Sequence, residues 1–190
     1  MSGGEYLLGL ILIITGLAIS DMVVSLHSVL LNRHKVKWDW LALLAAAYIF
    51  LMIVNSWGIS FQTFRGEEVN PPLWQFLELL GQIIPLYLAA RAVLPDEVGS
   101  KGADLAAHYA RVSRYFWTAI ATTLLLYLVG SSFQWAGGAV DNLEEKWGTV
   151  AQLMLIVSLI IVPMRRFHAV VLPMILALFC YDHLTARLFG

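Results

Sequence analysis

The sequence predicts an all-α protein, a polytopic bundle of six transmembrane helices that forms a single domain over residues 1–190. Hydrophobic residues make up 59% of the chain, charged residues make up 13%, and the mean hydropathy is +0.75. A soluble domain carries about 25% charged residues, so this composition is typical of an integral membrane protein. Six apolar runs account for almost the whole chain, and each is close to the roughly 20 residues that a helix needs to cross a bilayer.

Short connections that carry most of the charged residues separate the six predicted spans. The spans cover residues 6–31, 38–61, 71–94, 113–135, 147–164 and 167–189. Asn70, followed by two prolines, predicts the start of the third span, because Asn caps helices and proline fits a first helical turn. Residues 104–112 also have helical spacing, so they form either an interfacial helix before the fourth span or an extension of it.

The distribution of basic residues predicts how the bundle is oriented. Nine Lys and Arg residues flank the first, third and fifth connections, and three flank the opposite side. Because cytoplasmic connections are enriched in Lys and Arg, both termini are predicted on the outer side and the long central connection in the cytoplasm. The expected location is the plasma membrane.

Charge and cysteine content exclude several classes of function. With 12 Lys+Arg and 13 Asp+Glu, the chain lacks the basic surplus with which proteins bind nucleic acid. The single cysteine, Cys180, excludes an intramolecular disulfide and Cys-rich ligation of a metal or iron–sulfur cluster. The motifs HExxH, GxSxG and GxxxxGKS are absent from the sequence, which disfavours an enzyme.

Ionisable side chains inside the spans are the candidate functional residues, because each costs about 2.5–3.5 kcal/mol at the centre of a bilayer. Glu78 lies in the third span and shares one helical face with Gln75 and Gln82. The polar residues predicted at the same height on other spans are Asn55, Gln152, Asp182 and His183. We predict that these residues converge in an outer-half polar cavity that binds a cation or carries protons. Alternatively, Asp182 or Glu78 pairs with Arg187 or His183 to hold helices together. A further alternative is that Asp182, His183 and Arg187 reach headgroup water near the carboxyl end.

The first span carries a second polar stripe. Asp21, Ser25 and Ser28 repeat at helical spacing and share a face that should point away from lipid. Asp21 in the inner half and Glu78 in the outer half would mark the two ends of one ion or proton path, with Gln82 near its middle. The alternative is simple hydrogen bonding between helices, which is common in membranes.

Two histidines suggest a cofactor alternative. His27 and His168 would meet near the cytoplasmic side as axial ligands of a haem. Interfacial histidines in contact with water and headgroups explain the same residues without a cofactor, and we expect none.

The sequence therefore predicts an ion- or proton-conducting channel or carrier in a lipid bilayer. It also predicts a homo-oligomer, because six short spans offer limited room for a path within one chain. The alternatives are a membrane redox protein or other membrane enzyme, and a non-conducting structural or partner-binding membrane protein.

Overall fold

The computed structural model describes residues 3–64, 72–100, 102–136 and 143–183, except for the side chains of residues 63, 132–136, 143–145 and 182–183. Within these ranges the chain is all-α, as predicted. The helices are α1 (Gly3–Leu31), α2 (Trp40–Phe64), α3 (Leu73–Val93), α4 (Leu105–Ala136), α5 (Leu143–Ile161) and α6 (Arg165–His183). Two very short strands, β1 (Val36–Lys37) and β2 (Ala103–Asp104), lie in the first and third connections.

Four of these helices are long and apolar enough to cross a membrane, judged by length and composition. They are α1, residues Trp40–Gln62 of α2, α3, and residues Leu105–Ser131 of α4. Within the 19 residues of α5, the stretch Lys146–Ile161 is a shorter apolar helix. Large apolar side chains of α1, such as Leu12, Ile13 and Leu31, are exposed, as expected for a helix that faces lipid.

The start of α4 decides between the two interpretations of residues 104–112. α4 begins at Leu105, so these residues extend the fourth span and do not form a separate interfacial helix. Asp104 caps the helix, because its Oδ1 accepts the backbone N–H of Ala107 at 3.0 Å. That N–H, together with the nearby Lys37 ammonium, lowers the pKa of the Asp104 carboxyl below its ordinary value.

The other helix boundaries agree with the prediction to within four residues wherever the structure describes them. α3 begins at Leu73, with Pro72 as its N-cap residue and without a side-chain cap bond. The predicted cap, Asn70, lies outside the described residues.

The two strands form a parallel pair that ties the first connection to the third, and the sequence analysis did not predict them. Val36 pairs with Ala103 and Lys37 with Asp104. Gly102 leads into β2 with a φ of 86°, in the left-handed region that favours glycine. The pairing therefore fixes the start of α4 relative to the end of α1.

Five helices form a ring, in which α2, α3, α4, α5 and α6 each pack against the next and α6 packs back on α2. α1 lies outside this ring, against α2 and α3. On α1, Asp21 Oδ2 accepts the Tyr87 O–H of α3 at 3.0 Å and lies 3.4 Å from Arg91 Nη1. Asp21 therefore holds α1 on the outside of the ring.

One end of the ring is filled by large side chains and is called here the packed end. The side chains that define it are Leu41, Tyr48, Phe116, Trp117 and Leu172, none of which exposes any surface. They come from α2, α4 and α6, so they meet across the ring. Such close packing excludes water from this end.

An ion pair between a buried carboxylate and a half-exposed arginine closes the ring at the packed end. Asp39 directly precedes α2, and its side chain is only 1% exposed. Arg165, in the first turn of α6, donates from Nη1 to Asp39 Oδ2 at 3.1 Å and from Nη2 to Asp39 Oδ1. Asp39 Oδ1 also accepts the backbone N–H of Leu41 at 3.4 Å. One carboxylate thus joins the starts of two helices that are distant in sequence.

We expect Gly102→Ala to lower the free energy of unfolding by about 1–3 kcal/mol, because alanine is strained at a positive φ. A Cβ at this position would also lie 2.2 Å from the Lys35 carbonyl oxygen, which is backbone and cannot move aside easily. Chemical unfolding in detergent measures the effect. The matched control is Gly99→Ala, where an added Cβ meets nothing within 4 Å. Equal stabilities of the two variants would contradict the assigned backbone.

We expect Arg165→Met to lower the free energy of unfolding by about 1–3 kcal/mol, because it leaves the buried Asp39 carboxylate without its cation, while Arg165 itself is 53% exposed and partly hydrated. The neighbouring Arg166 is also exposed but forms no ion pair among the described residues, so Arg166→Met should change stability by less than about 0.5 kcal/mol. Adding Asp39→Asn to Arg165→Met should restore part of the loss, because the stranded charge is removed. The same unfolding measurement tests all three variants. An Arg165→Met protein as stable as the Arg166→Met protein would show that the pair contributes nothing.

Candidate functional site

Opposite the packed end, the ring encloses a partly open cavity of about 290 Å³. Its lining residues lie in the later turns of α2, α4 and α6 and in the earlier turns of α3 and α5. These turns belong to the end of the bundle at which the sequence analysis predicted an outer-half cavity. Residues of all five ring helices take part, and no described residue of α1 does.

The cavity brings together five of the residues that the sequence analysis selected. They are Asn55 on α2, Gln75, Glu78 and Gln82 on α3, and Gln152 on α5. They come from three different helices. Residues that were predicted to lie at the same height along the bundle therefore line the same cavity.

Among the described lining residues, Glu78 alone carries a carboxylate, and this group lies directly against α4. A Cβ added at Gly130 would be 1.5 Å from Glu78 Oε1, so the carboxyl group occupies the space that this glycine leaves free. Gln82 Nε2 donates to Glu78 Oε1 at 3.0 Å. In the part of the chain that the structure describes, no Lys or Arg forms an ion pair with Glu78. Lys146 is bonded elsewhere, to the backbone oxygen of Ser131 at 3.4 Å.

Gln152 lies at the deep end of the cavity, next to the packed end. The residue is 2% exposed, and its Oε1 accepts the Tyr48 O–H at 3.5 Å. Tyr48 is itself packed against Trp117 and Phe179, with ring centroids 6.0 and 5.8 Å apart. Among the described side chains, Gln152 Nε2 is a buried donor without a hydrogen-bond partner. An unpaired buried donor costs about 1–3 kcal/mol.

Sequence reasoning missed the polar side of α4. Thr123, Tyr127 and Ser131 repeat at a spacing of four residues and all line the cavity. Thr123 Oγ1 donates to the backbone oxygen of Gln82 at 3.0 Å, which joins α3 and α4 beside Glu78. The helical repeat of these three hydroxyls is the signal that would have found them.

The second predicted stripe lies elsewhere. Ser25 is buried and Ser28 is half-buried, so this face of α1 does point into the bundle. Asp21, however, is bound to Tyr87 and Arg91 on the outside of the ring, and none of the three stripe residues lines the cavity. The structure therefore does not join Asp21 to Glu78 in one open path.

The remaining candidates on the sixth span lie at its end. Asp182 and His183 are the last residues of α6, and their side chains are outside what the structure describes. Their convergence on the cavity stays a prediction.

The two histidines of the haem alternative do not form an axial pair. His168 is 2% exposed, and both of its ring nitrogens are engaged within the protein. Nε2 donates to the Val162 carbonyl oxygen at 2.8 Å, so Nδ1 accepts the Tyr109 O–H, also at 2.8 Å. His27 is exposed on α1, outside the ring. His168 therefore has no nitrogen left for iron, and these residues do not fit a haem.

Among the described residues, no group of three or more His, Cys, Asp or Glu side chains is placed to hold a metal ion. Comparison of the chain with protein-family models, curated proteins and solved structures finds no match.

We expect a cysteine in the cavity to react with a small water-soluble methanethiosulfonate at least about ten-fold faster than one at the packed end, because only the cavity admits the reagent. Ser56 lines the cavity, whereas Ser113 is buried beyond it on α4. The two variants to compare are Ser56→Cys and Ser113→Cys, each in a Cys180→Ser background. Mass spectrometry of timed samples gives the rates. Equal rates would mean that the cavity is closed to water or that the packed end is not packed.

Proposed function

We propose that this protein is a membrane carrier for protons or small cations, in which Glu78 takes up and releases the ion. The observation that supports this is the placement of Glu78, which lies in an open cavity among neutral polar groups and without a cationic partner among the described residues. A carboxylate in an apolar bundle is costly unless a proton or another cation neutralises it. The cavity supplies access for that ion.

A carrier fits the geometry better than an open channel. An open channel needs a continuous hydrated path, and here Tyr48, Phe116 and Trp117, fully buried and packed together, lie beyond the residues that line the cavity. Transport to the other side then requires the ring helices to rearrange, as in alternating access. The packed end is the barrier that would have to open.

The ionisable groups elsewhere in the bundle support the choice of Glu78. Asp21 is paired with Arg91, and Asp39 is paired with Arg165. Those two carboxylates are stabilised by their arginine partners, and each joins two helices. Glu78 accepts one amide hydrogen bond and is left to bind something else. This contrast favours a carrier over a purely structural membrane protein.

The proposal includes the membrane arrangement expected from the sequence. α5 and α6, with 19 residues each, reach about 28 Å, close to the roughly 30 Å of a bilayer core, so all six helices are proposed to span it. With the basic residues inside, the cavity opens toward the outer face of a plasma membrane. A homo-oligomer was expected because six short spans leave limited room within one chain. The cavity lies within one chain, so the proposal does not require an oligomer, and the oligomeric state stays a prediction.

In proteoliposomes, Glu78→Gln should reduce proton or cation flux at least about ten-fold, because it keeps the size of the side chain and removes its charge. Its melting temperature should stay within a few degrees of wild type. Glu97→Gln makes the same chemical change at an exposed carboxylate and should leave flux unaltered. If Glu78→Gln lowers stability but not flux per folded protein, Glu78 is structural and the proposal fails. It fails equally if wild-type protein adds no flux over empty liposomes.

Gly130→Ala tests the position of the Glu78 carboxyl group without altering its chemistry. The added methyl group must displace that group, since it would lie 1.5 Å from Oε1. We expect flux to fall, but by less than it does in Glu78→Gln. The pH dependence of the flux should also change. The control is Gly16→Ala on α1, where the added Cβ meets nothing within 4 Å. Identical flux in both variants would contradict a role for the contact between α3 and α4.

A further inference from the structure

The size of the cavity indicates more than a bare ion. At about 290 Å³ it is much larger than the roughly 30 Å³ that one water molecule occupies in the liquid. A site for a single bare cation closes around the ion with several oxygen ligands. Here a single described carboxylate is set in a space that holds a small organic molecule.

Two polar groups at different depths define what such a molecule would carry. Glu78 lies beside Gly130, toward the open end, and provides negative charge. Gln152 lies at the deep end and provides a buried N–H donor that lacks an acceptor within the described residues. Gln152 Oε1 lies 3.5 Å from the Tyr48 hydroxyl, a long contact that orients the amide with its Nε2 away from Tyr48. A positive group suits the first position and an oxygen acceptor suits the second.

Apolar side chains form part of the wall between these groups, beside the amides and hydroxyls already described. Met52, Leu86, Leu124 and Phe179 line the cavity from four different helices. These four side chains suit a hydrocarbon body, because apolar surface gains from being covered. Seven residues of α4 separate Gly130 from Thr123 near the deep end, a rise of about 10 Å. The two polar ends of the ligand are therefore separated by several carbon atoms.

We infer that the cargo is a small organic cation with a hydroxyl or carbonyl oxygen at its far end, whose ammonium group binds Glu78 and whose oxygen accepts the Gln152 N–H. This inference rests on the proposed function and narrows it to a class of substrate. Protons then serve as the exchanging ion at the same carboxylate.

Matched pairs of amines test the inference by calorimetry on the full chain in detergent at neutral pH, where the amines are protonated. The amino alcohols are dimethylaminopropanol and dimethylaminohexanol, and their isosteres with methyl in place of hydroxyl are dimethylbutylamine and dimethylheptylamine. Wild-type protein should bind at least one amino alcohol about five- to ten-fold more tightly than its isostere, the effect of one hydrogen bond. Glu78→Gln should weaken binding of both members of the pair.

Gln152→Leu should abolish the preference for the alcohol, because it removes the donor and keeps the volume. It removes one unpaired buried donor but leaves the buried Tyr48 hydroxyl without its acceptor, so its melting temperature should stay within a few degrees of wild type. Gln152→Met is made in parallel, so that one unstable variant does not end the test. Gln62→Leu is the matched control, since Gln62 is exposed at the end of α2 and does not line the cavity.

Three results would overturn the inference. They are no binding of any probe, equal affinity for alcohol and isostere in wild type, and a preference that survives Gln152→Leu. The first would mean that water alone satisfies Gln152. If Glu78→Gln still reduces proton flux in that case, the carrier proposal stands and only the substrate class is wrong. If probes bind as expected but flux does not depend on Glu78, the cavity is a binding site and the carrier proposal fails.

Discussion

The carboxylate of Glu78 inside an apolar helix bundle is the constraint on which the site depends. Gly130 leaves room for it on the facing helix, Gln82 donates to it, and Thr123 ties that part of α3 to α4. Each of these features would be unnecessary around a leucine. A carboxylate inside an apolar bundle lowers stability relative to an apolar side chain at the same position, because a charged group there costs free energy.

The two ends of the ring handle polar groups in opposite ways. At the packed end Asp39 is paired with Arg165, and His168 is paired with Tyr109. Trp117 Nε1 completes this set by donating to the Tyr109 oxygen at 3.3 Å. At the cavity end Glu78 and Gln152 keep unused bonding capacity. Fully paired groups hold a structure together, whereas groups left incomplete by the protein are available to a ligand.

The sequence predicted the helices and much of the site because membrane length and helical periodicity are local properties. Gln75, Glu78 and Gln82 share a face by spacing alone, and Asn55 and Gln152 follow from comparing heights along aligned spans. The order of helices around the ring is a tertiary property, since apolar runs of similar composition do not specify their neighbours. That is why Asp21 was grouped with the site although it lies outside the ring.

Other features left weak signals in the sequence. Strands of two residues are too short to show a period, so the pairing of β1 with β2 could not be read from the chain. The hydroxyls of Thr123, Tyr127 and Ser131 cost little in an apolar helix and did not stand out beside the carboxylates. Asp39 resembled an ordinary charged residue at a span end, and only the fold brings Arg165 to it.

Infrared difference spectroscopy of the Glu78 carboxyl group tests the central claim most directly. Spectra of wild type and Glu78→Gln, recorded across the pH range in which the protein stays folded, isolate the C=O stretch of this one side chain. The account predicts a protonated-carboxyl band that appears as the pH falls, shifts in D₂O and is missing from the variant, because a carrier group must exchange its proton with water. A Glu78 that does not titrate, or whose proton does not exchange with D₂O, would contradict it.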